Sequence, residues 1–495
     1  MTLLIDGHGF HYEMENLCRL FFPHDAIKVV HEPAEDEVVV TTSLRRGEDK
    51  TELFVEYRAY ITNERSKAEV PNHHADYDNR CELVMAQLLF GILAKVCHFT
   101  PKWGVLTGVR PIKLMRRLMN EEGEAEARRT FTEDLLVSEE KTNLAIDTVR
   151  KEDSILQLSR QDSFSLYVSI PFCPSRCAYC SFVSMWVEKS GHLLPKYVEL
   201  LAKEIEETGR VAKQLGLRLE TIYFGGGTPT ILSAEQLSFL IQAVNRSFDL
   251  SFVREFTVEA GRPDTITREK LQVMKDLGVT RISINPQTMQ DDVLERIGRR
   301  HTVAQVRDAY AMAKEVGFTN INMDLIAGLP GDDARKFADT IRQVLELDPP
   351  SITVHTLALK RSSYLNQFGQ DDYARADEVE AMLACVQQNL VPNGYTPYYL
   401  YRQSRTIGNL ENIGWSKPGY EGYYNVYIMD ETHTILAAGA AGVTKLKQPD
   451  GPYIERIFNF KFAYEYIDRF DEILARKKKV CPFYEKYGKC SQLPG

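Results

Sequence analysis

The sequence predicts an α/β protein built around a parallel sheet that curves into a partial (β/α)6 barrel. Two observations predict it. From about residue 163 to about residue 370, short β-branched runs alternate with amphipathic helical stretches, the pattern of right-handed strand–helix–strand crossovers. Each of these strands also ends in a polar or glycine-rich cluster, as expected where a site forms at the carboxyl ends of barrel strands. Alternation alone fits a doubly wound sheet equally well, so the strand-end clusters favour the barrel.

Taken in order, residues 1–125 combine strand-like pieces (37–43 and 51–62) with one long helix (76–97), which predicts a small α+β domain whose chemistry is not readable. Its stretch 101–111, with Trp103 and Gly104, reads better as packing between a helix and a turn than as a binding loop. Residues 126–162 read as a charged helical linker. The core, 163–375, has strands at 166–170, 221–224, 255–259, 281–284, 321–325 and 351–356. The helix grammar between them is explicit. Apolar residues recur at helical spacing over 195–215, Ser233-Ala-Glu-Gln236 and Thr302-Val-Ala-Gln305 are capping boxes, and 334–347 runs into a Pro pair. Residues 376–495 open with a helix at 377–390 and predict an α+β cap. Its aromatic stretches 395–401 and 420–427 suit either stacking on a flat ligand or filling a core. Lys477-Lys-Lys479 reads as a solvated face, and Cys481 and Cys490 as free thiols.

Composition sets limits on function. The 495 residues are 44% hydrophobic, 26% charged and 10% aromatic, enough for two or three domains with sizeable cores. A net charge of -9 argues against general nucleic-acid binding, which needs a basic surface. The N-terminus lacks the basic start of a signal peptide, and the most apolar stretch, 83–97, is interrupted and too short for a bilayer. Nine cysteines with no disulfide-like framework fit a reducing, cytoplasmic compartment.

The most informative segment is Tyr167-Val-Ser-Ile-Pro-Phe-Cys173-Pro-Ser-Arg-Cys177-Ala-Tyr-Cys180. Its C-x3-C-x2-C spacing supplies three thiolates, one too few for a closed zinc site. Three thiolates suit a [4Fe-4S] cluster whose fourth iron stays open to a ligand. Downstream strand ends carry Gly225-Gly-Gly-Thr-Pro, Glu259-Ala-Gly, Asn285-Pro-Gln287, and Asp324 ahead of Gly328-Leu-Pro330. Each has a plainer reading as a turn or a solvated carboxylate, and Gly298-Arg-Arg-His301 reads equally as a charged helix end. Beside a cluster loop they read as one rim, where a guanidinium suits a carboxylate.

The cysteine loop, with Tyr179 just before its third cysteine, resembles that of radical S-adenosylmethionine (SAM) enzymes. Tyr-x-x-Ile-Pro-Phe-Cys, Gly-Gly-Gly-Thr-Pro-Thr, Val-Glu-Ala, Arg-Ile-Ser-x-x-x-Gln, Gly-Arg-x-His and Asp-Leu-Ile-x-Gly-Leu-Pro, in that order, are similar to the oxygen-independent coproporphyrinogen III oxidase branch, and most to its HemZ-type members. The resemblance implies a radical-SAM barrel holding a [4Fe-4S] cluster on Cys173, Cys177 and Cys180. It implies SAM contacts at Tyr167, Tyr179, Gly226, Gly227, Thr228, Glu259, Gln287, Arg299, Asp324 and Ala358, with Val443 added just after the small, apolar stretch 434–442, which resembles the family's glycine-containing strand that closes over the cofactors. A second SAM lies beside the first in that family. The implied reaction is radical oxidative decarboxylation of two propionates of coproporphyrinogen III, giving protoporphyrinogen IX in haem biosynthesis, with a flavodoxin or ferredoxin as electron donor. The C-terminal domain is expected to cap the tetrapyrrole.

Two departures qualify the likeness. Phe182 stands where the branch's established oxidase has a further cysteine, and Ser169 where it has histidine. The related haem-chaperone subgroup also lacks that cysteine, but it carries Arg-His-Asn followed by Tyr-Trp, where this chain has Tyr423-Tyr-Asn425-Val-Tyr427. The sequence thus leaves two rivals to the oxidase: a haem-binding or haem-delivery protein of the same branch, and a radical SAM enzyme with another substrate.

Overall fold

A computed structural model describes the chain except residues 34, 181, 183, 359–371, 404–405 and 489–495, and the side chains of 372–374. The expected end of the core near Gln370 and the thiol of Cys490 lie outside the described residues. Two compact units form, one from Met1–Val149, Asp371–Asp377 and Leu400–Glu411, the other from Arg150–Gln370, Glu378–Tyr399 and Asn412–Gly495.

The first unit holds strands β1 (Thr2–Asp6), β2 (Lys28–Val30), β3 (Val38–Arg46), β4 (Lys50–Ala59) and β5 (Thr62–Pro71) in the order β2-β1-β3-β4-β5. Helices His11–Phe21 and Tyr77–Cys97 pack on one another, the latter also on β4 and β5. In β4 the alternation is plain, with Thr51, Leu53, Val55 and Tyr57 buried between outward Glu52, Phe54 and Glu56. The strand expected at 51–62 ends at Ala59, because Tyr60 turns through a positive φ of 48°. A further strand, β5, follows; its charged sequence, TNERSKAEVP, carries no continuous apolar pattern. Trp103 is buried, its Nε1 donating to Glu411 Oε2 at 2.8 Å, while Lys141 Nζ donates to Glu411 Oε1 at 2.7 Å. Stretch 101–111 therefore serves packing at Trp103.

The second unit is built on β6 (Ser163–Ile170), a short pair β7 (Phe172–Cys173) and β8 (Met185–Trp186), then β9 (Arg218–Gly226), β10 (Glu255–Glu259), β11 (Arg281–Gln287), β12 (Asn320–Ala327) and β13 (Ser351–Thr356). Its sheet continues through β14 (Thr396–Arg402, of which residues up to Tyr399 belong to this unit), β15 (Glu411–Ser416, from Asn412 onward), β16 (Thr434–Ala438), β17 (Val443–Lys447) and β18 (Ile454–Phe458). Neighbours run β14-β15-β13-β12-β11-β10-β9-β6-β16-β17-β18. The six expected strands are parallel and adjacent in chain order, and β16 adds a seventh parallel strand beside β6. β16 and β15 flank β6 and β13, so the barrel is partial. Both capping boxes form, and helix Ala334–Leu347 buries Phe337, Thr340, Ile341 and Val344 at helical spacing. Among the described residues, no helix is long and apolar enough to cross a membrane.

The aromatic segment 420–427 fills the interior. Tyr424, on helix Tyr423–Asp430, stacks on Tyr223 at 4.5 Å, and Glu255 accepts from the backbone NH of Tyr423 at 2.7 Å. Lys477 departs from the solvated face expected of it: it is buried and pairs with Glu204 at 2.9 Å. Glu204 also accepts from Gly439 N, Asn459 and Tyr466, so it ties the turn after β16 to the C-terminal helices.

Candidate functional site

The site is assembled where the parallel strands end. Leaving β6, the chain makes the short strand β7, so Cys173 sits against the glycine edge of β9. Gly227 N donates to Ile170 O at 2.8 Å and Thr228 N to Phe172 O at 2.8 Å. A Cβ at Gly227 would lie 2.5 Å from Phe172 O, and Gly226 has φ +106°, so neither position accepts a side chain without rearrangement. Thr228 Oγ1 then reaches Cys173 Sγ at 3.5 Å.

From the opposite side, the loop after β10 sends in Arg262, whose Nη1 donates to Ser175 Oγ at 3.0 Å and lies 3.9 Å from Cys177 Sγ. A third support comes from the turn after helix Asp291–Arg296: Ile297 O accepts from Ala178 N at 3.0 Å. Arg299 Nη2 donates to the Tyr179 hydroxyl at 2.9 Å, and its Nη1 to Asn285 O at 2.7 Å and Gly261 O at 3.2 Å. In this state Arg299 fixes the cysteine loop and two strand ends, with Nε as its one buried donor lacking a partner. Burial raises the Cys173 thiol pKa and pushes that of Cys180 up to about 11. Loading iron therefore releases protons. Among the described residues no group of His, Cys, Asp or Glu converges as ligands of one metal ion. The cysteines of an iron–sulfur cluster each bind a different iron, and three free thiols with hydroxyl and guanidinium donors against two sulfurs fit such a cluster.

The neighbouring strand ends supply polar groups on one face. Tyr167 of β6 and Tyr223 of β9 stand opposite in register and stack at 6.2 Å. The Tyr223 hydroxyl donates to Glu259 Oε1 at 2.6 Å. Burial, reinforced by the charge of Asp324, pushes the Glu259 pKa up to about 7 against the Tyr223 bond that lowers it. Asp324 accepts from Asn322 Nδ2 at 2.7 Å, and Asn322 also bonds Ser283, which donates to Asn285. Gln287 lies past a register shift in β11 with φ 71°, and its buried Oε1 has no hydrogen-bond partner. A carboxyl held half-protonated near neutrality, an orphaned amide oxygen and a glycine edge together suit a ligand carrying an ammonium and hydrogen-bond donors.

Nine of the eleven expected cofactor residues thus fall on the parallel strands and their ends or on the cysteine loop and its supports. Ala358, just past β13, and Val443, opening β17 opposite Phe458, are linked to them by strand position alone. Three residues of the site escaped sequence reasoning as site residues: Arg262, Tyr223 and Tyr424. The first lay in the same Glu-Ala-Gly-Arg-Pro-Asp run that marked Glu259, which was the available signal.

Residues 167–344 match the family model described as the radical SAM superfamily. Over 97% of both chains, the protein is 35% identical to the oxygen-independent coproporphyrinogen-III oxidase-like protein HemZ of Bacillus subtilis strain 168. It is also 35% identical to the heme chaperone HemW of the same organism, over 56% of this chain and 70% of that one. Among solved structures, coproporphyrinogen III oxidase (HemN) of Escherichia coli superposes with a TM-score of 0.51 at 23% identity, covering 65% of this chain and 72% of that one.

Proposed function

Because the chain belongs to the radical SAM superfamily, within the oxygen-independent coproporphyrinogen III oxidase-like branch, we propose that it oxidatively decarboxylates coproporphyrinogen III to protoporphyrinogen IX. The observation that carries this reading is the joint placement of the three cysteines with Glu259, Asp324, Gln287 and the glycine edge at successive strand ends. Cys173, Cys177 and Cys180 would hold a [4Fe-4S] cluster, and the strand-end groups would hold SAM. When bound, these supply one-electron cleavage of a sulfonium and thereby hydrogen-atom abstraction.

The chain's own part is placement. Glu259 takes the ammonium of the methionine portion and gives up its proton on doing so. Asp324 takes ribose hydroxyls, and the Gly226–Gly227 edge lets the ligand approach the backbone. Tyr167, Tyr223 and Tyr424 stack on one another beside Glu259 and would supply an aromatic wall to the site. Arg299 and Tyr179 hold the loop, with the free Nε of Arg299 left for a carboxylate. Residues 163–375 would form the catalytic core and 376–495 the substrate cap, served by an external flavodoxin or ferredoxin. The number of SAM molecules follows from the branch and is proposed as two.

A second reading, haem delivery, is favoured by the likeness to HemW and by Phe182, 69% exposed where the oxidase pattern has cysteine. Release of 5′-deoxyadenosine from the anaerobically reduced protein separates the two. Stimulation by coproporphyrinogen III supports the oxidase, and indifference to it with stoichiometric haem binding supports delivery.

A further inference from the structure

We propose that Arg262 sets the reduction potential of the cluster held by Cys173, Cys177 and Cys180, raising it through its hydrogen bond to the Cys177 sulfur. The proposal rests on the cluster reading above and concerns a residue outside the SAM contacts. Arg262 is 3% exposed, and each of its three guanidinium nitrogens has a partner. Nε and Nη2 each meet an Asp264 carboxylate oxygen at 3.0 Å, which fixes the plane of the guanidinium. That leaves Nη1 to Ser175 Oγ at 3.0 Å and to Cys177 Sγ at 3.9 Å. The fork geometry is specific to arginine.

Reduction adds one electron from an external low-potential donor, taking the cluster from the 2+ to the 1+ state; no bond in the protein breaks and no proton moves. The added negative charge spreads onto the thiolate sulfurs, so a buried cation donating to one of them stabilises the reduced state more than the oxidised state. Asp264 opposes this by partly neutralising the guanidinium. His301 Nδ1 lies 3.9 Å from Asp264 with both ring nitrogens unpartnered, and burial lowers its pKa to about 3, so it adds no charge. Arg299, whose charge also acts on Cys177, and Arg176 within the loop are the same in every variant considered. Arg262 and Asp264 therefore act in opposite directions.

The test is an EPR-monitored potentiometric titration of the reconstituted protein without SAM, with iron and sulfide measured alongside. Arg262→Gln should keep its iron and lower the midpoint, about tenfold in the reduction equilibrium constant, or about 59 mV for one electron. Arg262→Lys should shift it less, and Asp264→Asn should raise it. An unchanged midpoint in iron-replete Arg262→Gln, or shifts of Arg262→Gln and Asp264→Asn in the same direction, overturns the proposal. Should Arg262→Gln lose its iron, Asp264→Asn decides: a raised midpoint supports the proposal and an unchanged one refutes it. Wild-type protein that takes up no cluster refutes the cluster reading itself, and the iron assay alone distinguishes that failure.

Discussion

Replacing Glu259 with glutamine isolates the electrostatic cost of the rim. The carboxyl pKa stands at about 7 in the folded protein against 4.5 for an ordinary glutamate, chiefly because burial disfavours its charge. A raised carboxyl pKa means the native state binds more protons than the unfolded chain between about pH 4.5 and 7. Stability from this group is therefore present below pH 4.5, declines as pH rises through that window, and is fully lost above 7. At ~1.4 kcal/mol per unit the whole shift corresponds to roughly 3 kcal/mol. Because the side chain is only part-buried, solvent screening reduces this to about 2 kcal/mol. The glutamine amide keeps an acceptor for the Tyr223 hydroxyl, so Glu259→Gln should leave apoprotein stability near wild type at pH 4.5 and raise it by about 2 kcal/mol at pH 8. Urea unfolding of both proteins at the two pH values measures this. An equal difference at both pH values would refute the assignment. The same charge that costs stability is available to a cationic ligand, so Glu259→Ala should weaken SAM binding roughly 10- to 100-fold, the loss of a charge-assisted hydrogen bond of ~1.5–3 kcal/mol.

Cys173→Ala, Cys177→Ala and Cys180→Ala should each abolish cluster incorporation, read as iron and sulfide per chain; normal content in any of them excludes that ligand. Gly227→Ala puts a Cβ against the Phe172 carbonyl, so it should displace the cysteine loop and lower iron retention without unfolding the sheet, checked by iron content against far-UV circular dichroism. Glu411→Gln removes the buried carboxylate that meets both Lys141 and Trp103 and should cost about 3 kcal/mol in denaturant unfolding. A change under ~1 kcal/mol there would mean the pair is already solvated.

Much of the barrel was legible because its strands are short β-branched runs, each closed by a polar or glycine cluster, and because Ser233/Gln236 and Thr302/Gln305 mark helix starts unambiguously. The strand β16 was legible as an apolar run but not as a seventh parallel strand, since its pairing with β6 spans a separation of about 270 residues that no local pattern encodes. β5 was missed because its residues alternate among charged types, and Lys477 because a lysine run gives no sign that one member finds a buried carboxylate. The cysteines and Glu259 announced themselves by spacing and position. Arg262 did not: an arginine after glycine reads as a loop surface, and only the fold turns it toward Cys177. Arg299 was legible as a rim guanidinium, whereas its bonds to the Gly261 and Asn285 carbonyls depend on the conformation of two other loops.

The measurement that bears most directly on the proposed function is product analysis after anaerobic incubation of cluster-loaded, reduced protein with coproporphyrinogen III, SAM and an electron acceptor. The expected result is loss of CO2, a mono-vinyl intermediate and then protoporphyrinogen IX, with about two SAM consumed per product if each is used once. Formation of 5′-deoxyadenosine with every propionate intact, alongside one haem bound per chain, would contradict it and leave haem delivery as the function.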